Sequence, residues 1–587
     1  MKVIMTGNEA IARGAFEAGV TVASAYPGTP STEILENFVN YEGIYAEWSP
    51  NEKVALEVAS GAAIAGVRAL ATMKHVGVNV AADPLFTMAY EGVNGGLVLI
   101  SADDPGMHSS QNEQDNRYYA PHAKVALIEP SDSQECIDYI KEAYRISEEF
   151  DTLVIFRVTT RISHSKSVVE LSEKKDVAIR PYKKDTSKYV MNPGNAKRKH
   201  PEVEERLAKL RNYSNNTPLN RVEINDNKVG IITSGICYQY AKEVLGDTVS
   251  YLKLGYTYPL PDEIIKEFAS KVEKLYVIEE NDPYLEDQIK AMGIACIGKE
   301  IIPVCGELNP EIIRKAILGE DVQINYTTEA KAPTRPPVLC PGCPHRGLFY
   351  EISKHKDIVA TSDIGCYTLG ASEPLNVGDT VICMGASISA GVGFQEAEII
   401  SNRKEHKVFS IIGDSTFFHS GITGLIDSVY NNVPIVTCIL DNRITGMTGH
   451  QENPGTGRTL QGKPAPIIDI EKIVRALGIK EENIRVINPY DLKETKIAIK
   501  DAHESEEPFV IITKQPCALI KEVQKARQGL KCIIDQEKCK KCKLCIKTGC
   551  PALKVQNGEV SIDESMCIGC EICMQVCPFD AISKVGE

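Results

Sequence analysis

Residues 413–442 read "GDSTFFHSGITGLIDSVYNNVPIVTCILDN". The apolar run "KVFSIIGD" closes on an acid, a stretch that suits a helix follows, and "VPIVTCILDN" closes on an Asp-Asn pair. Two apolar strands joined through a helix are the repeating unit of a parallel sheet. Such a sheet lines up the carboxyl ends of its strands along one edge, where open α/β folds bind their ligands. Asp414 and Asn442 fall on that edge. Taken alone, each reads equally well as a chance polar residue at a strand end.

The pattern extends outward from this stretch. Residues 338–530 form one α/β unit, preceded by the proline-rich joint "EAKAPTRPP" (329–337). Before the joint, residues 226–328 alternate strand and helix in a smaller α/β domain, with "KVGIITSG" and "KLYVIEEN" as strands. Residues 166–225 are charged and poorly periodic, which predicts a linker with a solvated helix. Residues 1–165 carry the strand candidates "KVIMT", "TVASAY", "GGLVLIS" and "TLVIFRV" around the Ala- and Gly-rich helix 51–70, again the pattern of a parallel sheet. At 587 residues the chain exceeds one core. Its net charge of −14 disfavours nucleic acid and anionic lipid as partners. Neither a membrane-spanning apolar run nor a signal-peptide core is visible, which places the expected location in the cytoplasm.

Eight of the 19 cysteines crowd into residues 539–577, within the tail 531–587. They form two groups: C-x2-C-x2-C-x4-C-P (Cys539, Cys542, Cys545, Cys550) and C-x2-C-x2-C-x3-C-P (Cys567, Cys570, Cys573, Cys577). Zinc ribbons use cysteine pairs, whereas three cysteines at i, i+3 and i+6 wrap three corners of a [4Fe–4S] cubane and take a distant fourth ligand. In two-cluster ferredoxins that fourth cysteine comes from the other group. The expected ligand sets are Cys539, Cys542, Cys545 and Cys577 for one cluster, and Cys567, Cys570, Cys573 and Cys550 for the other. The extra residue before Cys550 then only lengthens a connector. A tail this short buries little core, so the clusters themselves would hold it folded.

The 413–442 stretch resembles the thiamine-diphosphate motif, G-D-G followed about thirty residues later by N, with Ser415 in place of the third glycine. The resemblance implies thiamine diphosphate with Mg2+, held by Asp414, Asn442 and the Ile444 carbonyl, with Gly413 and Ser415 beside it. Magnesium suits such hard oxygen ligands. The continuation "DNRITGMTGHQ" is similar to that of 2-oxoacid:ferredoxin oxidoreductases.

In that superfamily the pyrimidine domain opens on Y-P-x-T-P-S, which "SAYPGTPSTEI" (24–34) resembles, and "NEKVALEVASGAAIAGVRAL" resembles its E-x8-G-A-x3-G-x-R segment. The match places Glu52 at the catalytic glutamate, whose carboxyl favours the reactive tautomer of the pyrimidine. Thr29 becomes a hydroxyl near the pyrimidine or substrate. Glu47 and Glu57 are rivals, and a solvated glutamate at a helix start is the plain alternative for Glu52. Where pyruvate enzymes resemble T-A-R, this chain has "SADDPGMHSSQNEQDNR" (101–117), without the arginine that pairs a small oxoacid's carboxylate. That run is similar to the α subunit of indolepyruvate:ferredoxin oxidoreductases, and the resemblance spans the chain. It implies an α/β, multidomain fold: two thiamine-diphosphate-type parallel-sheet domains, a smaller α/β domain of the transketolase C-terminal type, and an α+β two-cluster ferredoxin-like tail. It implies oxidative decarboxylation of an aryl 2-oxoacid to the aryl-acetyl-coenzyme A, with electrons leaving through the clusters to ferredoxin. A separate β subunit in an α2β2 assembly is implied as well.

Cys340 and Cys343 in "LCPGCPHRGLF", with Cys366 and Cys517, match cysteines that hold a third cluster in pyruvate-type relatives. The C-x-x-C reads equally as a zinc site, a bare turn or a pocket wall. Cys136, Cys237, Cys296, Cys305, Cys383, Cys438 and Cys532 read as core residues. His345, His419 and His450 lie near motif loops, as ligand contacts or as structural histidines.

Overall fold

Strands covered on both faces must be apolar along their whole length, and three runs of the N-terminal half meet that condition. Ala69–Lys74, Leu97–Asp103 and Val154–Thr159 are buried at every position. The computed structural model describes residues 1–321, 336–403 and 405–585, in two compact units, Met1–Glu329 and Ala330–Glu587.

In the first unit those three strands centre a seven-stranded sheet. Its order is Tyr256–Tyr258, Ala126–Ile128, Val154–Thr159, Leu97–Asp103, Ala69–Lys74, Val22–Ala25, Tyr45–Trp48. Neighbours run parallel except the first pair. The chain goes from Val22–Ala25 outward to Tyr45–Trp48 and then crosses back to Ala69–Lys74. The loops after the two inner strands therefore flank a topological switch point, the crevice that α/β sheets use for ligands. A four-stranded sheet, Lys274–Ile278, Val229–Ser234, Ser250–Leu254 and Arg221–Glu223, builds the smaller α/β layer.

Several local expectations are corrected. "KVIMT" is a strand, Lys2–Thr6, but it lies outside the parallel sheet and pairs antiparallel with Lys166–Glu170. Ile4 and Val168 are 68% and 60% exposed, so this ribbon lacks the two-sided cover a parallel strand needs. The segment 166–225 is more than linker: besides that strand it holds the largely exposed helix Pro193–Ser214 and the sheet-edge strand Arg221–Glu223. Among the cysteines expected in cores, Cys305 and Cys383 are exposed. The 329–337 joint lies, apart from its last two residues, outside the described residues.

The second unit contains a six-stranded, all-parallel sheet ordered Thr380–Val381, Ile358–Ser362, Lys407–Gly413, Val436–Asp441, Phe509–Lys514, Ile484–Ile487. Its switch point falls between Ile358–Ser362 and Lys407–Gly413, the latter ending immediately before Asp414. The tail adds two antiparallel ribbons, Lys531–Ile534 with Ile582–Val585 and Leu553–Gln556 with Glu559–Ile562. Between them is a small core in which Cys545, Cys550, Cys567, Cys573 and Cys577 take the place of ordinary apolar side chains.

Candidate functional site

In the first unit the switch-point loops carry Thr29 and Lys74. Thr29 is half-buried in a turn where the Thr32 hydroxyl accepts from the Gly28 amide at 3.0 Å. Glu52 opens the helix Glu52–Ala65, whose N-cap Asn51 accepts from the Val54 amide at 2.9 Å. It is not a solvated helix-start residue: only 5% of it is exposed. A β-carbon built on Gly77 would lie 2.6 Å from Glu52 Cγ, so only glycine lets the backbone pass this close to the carboxylate side chain. Both rivals have local roles. Glu47 accepts from the hydroxyls of Tyr45 and Ser49 at 2.6 and 2.8 Å, and exposed Glu57 pairs with Lys53.

Lys74, which ends the strand Ala69–Lys74, and His75, which opens the helix after it, were missed by sequence reasoning. Lys74 is buried and donates to the Ser109 carbonyl at 2.6 Å; burial lowers its ammonium to about 8, against the opposing pull of Asp104. His75 is fully buried, with Nε2 at 3.2 Å from the Asn112 carbonyl, and burial pushes its pKa down. The "TMKHVG" run carries no signature beyond a strand end, so only the fold reveals them.

The 101–117 run is organised by its acids. Asp103 accepts from Arg157 Nε at 2.7 Å and from the Asn116 amide at 2.9 Å. Asp104 accepts from the Ser109 amide and the Thr160 hydroxyl. Arg157 also pairs with Glu129, while Arg117 is held by Asp115 and Glu279. Both buried guanidinium groups are matched by protein carboxylates.

In the second unit Asp414 is 3% exposed. Burial, with the nearby Asp441 carboxylate, raises its carboxyl to about 7. Its Oδ2 accepts from Asn453 Nδ2 at 3.2 Å, an asparagine that no motif had marked. Asn442 is 7% exposed and its Oδ1 accepts from the Ile444 amide at 3.2 Å. Its Nδ2 stands 3.4 Å from His345 Nε2. Burial and the adjacent Arg346 lower that imidazole to about 4, which leaves it neutral and able to accept. Ser415 accepts from Thr445 at 2.9 Å, and Gly413 is backed by Tyr367, whose ring a β-carbon there would meet at 2.6 Å. Past Asp414 the helix widens into a π-turn, Phe417–Gly421, a distortion common at functional sites.

The four scattered cysteines converge. The Cys343 amide donates to the Cys340 carbonyl at 3.0 Å, and the Cys517 amide donates to the Asn442 carbonyl at 2.9 Å. Cys517 Sγ lies 4.0 Å from His450 Nε2. Burial raises the Cys366 thiol to about 11, and the nearby Cys517 and Cys340 push it the same way; Cys343 is raised to about 12, with Cys366 and Cys340 among its neighbours. Buried thiols disfavour ionisation in this way unless a metal compensates the thiolate charge.

In the tail, Cys550, Cys567, Cys570 and Cys573 line one cavity together with Cys532 and Arg346. Cys550 thus shares a cavity with the second cysteine triplet. The Cys532 amide donates to Cys567 Sγ at 3.2 Å, which makes this buried cysteine a neighbour of the second cysteine group. Cys539 and Cys542 act on the Cys545 thiol, and Cys577 packs against the shared core. Among the described residues, no three His, Cys, Asp or Glu side chains are grouped as ligands of a single metal ion. None of the described helices is long and apolar enough to cross a membrane.

Family models match three parts of the chain. "Pyruvate flavodoxin/ferredoxin oxidoreductase, thiamine diP-bdg" covers residues 13–220, "Thiamine pyrophosphate enzyme, C-terminal TPP binding domain" covers 363–513, and "4Fe-4S binding domain" covers 560–583. Three curated relatives, each an indolepyruvate oxidoreductase subunit IorA, align along the chain. That of Archaeoglobus fulgidus is 44% identical over 99% of this chain and 97% of its own. The Methanothermobacter thermautotrophicus protein is 42% identical over 100% and 98%. The Pyrococcus horikoshii protein is 41% identical over 100% and 97%.

Proposed function

The chain belongs to the IorA family of indolepyruvate oxidoreductase subunits, within the 2-oxoacid:ferredoxin oxidoreductases, and from that premise we propose its reaction and the residues that serve it. It oxidatively decarboxylates an aryl 2-oxoacid, indolepyruvate above all, to CO2 and the aryl-acetyl-coenzyme A, and passes the electrons to ferredoxin. Thiamine diphosphate supplies the electron sink for decarboxylation, and [4Fe–4S] clusters take up electrons one at a time.

Asp414, the Asn442 side chain and the Ile444 carbonyl hold Mg2+, with Gly413 and Ser415 against the diphosphate. The donor set fits: all three are hard oxygens, and a carboxyl raised to about 7 by burial regains its charge beside a divalent cation. Glu52, buried at the start of its helix, holds the proton of the pyrimidine ring, and Thr29 positions the pyrimidine or substrate from the switch-point loop. Cys340, Cys343, Cys366 and Cys517 hold a third cluster near Asp414; the tail holds two more, Cys539, Cys542, Cys545 and Cys577 on one and Cys567, Cys570, Cys573 and Cys550 on the other. A separate β subunit completes an α2β2 enzyme in the cytoplasm.

The observation that carries this reading is the convergence, in one unit, of buried Asp414 and Asn442 with Cys366 and Cys517 at the carboxyl edge of one parallel sheet. An anaerobic assay of the complex with coenzyme A and a panel of oxoacids, following ferredoxin reduction, tests it. Rates with pyruvate equal to those with indolepyruvate would sink the substrate assignment.

A further inference from the structure

Arg346, the second residue of the helix His345–Ile352, is 1% exposed. Its Nη1 donates to the Thr548 carbonyl at 2.8 Å, and its Nη2 donates to the Leu339 and Cys340 carbonyls, each at 2.9 Å. Its Nε is buried without an acceptor, and among the described residues no carboxylate pairs with it. The contrast with Arg117 and Arg157, each ringed by acids, is sharp. A buried cation satisfied only by neutral carbonyls is costly unless a negative charge stands nearby.

What surrounds it is cysteine. Its guanidinium borders the cavity of Cys550, Cys567, Cys570 and Cys573, hydrogen-bonds the Cys340 carbonyl, and acts electrostatically on both Cys343 and Cys570. A cluster held by four thiolates is an anion, and each reduction adds one further negative charge. We propose that Arg346 is the shared counter-charge of the two clusters on either side of it, the one held by Cys340, Cys343, Cys366 and Cys517 and the one held by Cys550, Cys567, Cys570 and Cys573. It raises the reduction potential of both, so each accepts an electron more readily than it would without the cation. The inference rests on the cluster reading above.

The test uses the full-length chain purified anaerobically with its partner subunit, as wild type, Arg346→Gln and Arg346→Lys. Iron content and potentiometric titration followed by electron paramagnetic resonance are the readouts. With full iron, Arg346→Gln should lower the reduction equilibrium constant of the two adjoining clusters roughly tenfold or more, about 59 mV for a one-electron couple. The cluster of Cys539, Cys542, Cys545 and Cys577 should stay put as the internal reference, and Arg346→Lys should titrate close to wild type. Unchanged potentials in an iron-replete Gln variant would overturn the proposal, and so would equal shifts in the Gln and Lys variants, which would mark a role of hydrogen-bond geometry. If the Gln variant fails to assemble, the Lys variant decides: assembly near wild-type potentials supports the counter-charge, and joint failure shows a structural clamp instead. A wild-type complex with no iron on these cysteines would reject the cluster reading itself.

Discussion

Replacing Asp414 with Asn should stabilise the cofactor-free protein while abolishing its response to the cofactor. The carboxyl is raised from 3.8 to about 7 because it is buried beside Asp441. Such a group binds its proton more tightly in the folded chain than in the unfolded one. Its contribution is therefore fully present below about pH 4 and is lost as pH rises through about 7. By pH 8 the ionised carboxylate costs the fold on the order of 4 kcal/mol, three pH units at ~1.4 kcal/mol each, as an upper bound. Asparagine keeps an oxygen for the Asn453 amide, 3.2 Å away, and removes the buried charge. Thermal unfolding without cofactor should then show a midpoint several degrees higher than wild type at pH 8, at ~2–4 °C per kcal/mol for a unit of this size, and little change at pH 5. Thiamine diphosphate with Mg2+ should raise the wild-type midpoint at pH 8 and leave the variant unmoved. A variant no more stable than wild type at pH 8, with its cofactor response intact, would refute both the strain argument and the assignment.

Other substitutions probe the remaining sites. Glu52→Gln should abolish turnover with cluster absorbance intact, whereas Glu47→Gln and Glu57→Gln should stay within a few-fold of wild type; an active Glu52 variant removes it from catalysis. Cys550→Ser should alter the paramagnetic signal of the cluster on Cys567, Cys570 and Cys573 and spare the one on Cys539, Cys542 and Cys545, and the reverse pattern would defeat cross-ligation. Gly342→Ala should destabilise the second unit by roughly 2–4 kcal/mol, because its φ of +67° disfavours a side chain and a β-carbon would lie 2.2 Å from Ile568 Cδ1. Ile568→Ala should relieve the steric part in denaturant titrations, and strict additivity of the two would disprove the clash.

Much of the arrangement was legible before any coordinates. Cysteine spacing carries its own geometry, since three thiols three residues apart wrap one cluster wherever the tail sits. The apolar runs closing on Asp414 and Asn442 identified two strand ends on one edge of a parallel sheet, because the carboxyl end of such a strand is a position the local sequence defines. Less was legible where neighbours decide. "KVIMT" is as apolar as an inner strand, yet it pairs with Lys166–Glu170 in a half-exposed ribbon.

Sequence alone determined the order of the α/β segments and the tail, the tail's cysteine triplets and the identity of the acid and amide at the strand ends, all properties of residues near one another along the chain. Tertiary structure alone decided what distant residues become. Cys340, Cys343, Cys366 and Cys517 meet because the sheet places Ile358–Ser362, Lys407–Gly413, Val436–Asp441 and Phe509–Lys514 side by side. Glu52 turned from a plausible surface residue into a buried one, and Arg346 from an ordinary charge into an uncompensated cation among cysteines. Burial and the company a charge keeps are set by the folded neighbours, from Gly77 beside Glu52 to Thr548 beside Arg346, and those quantities govern its protonation and its energy.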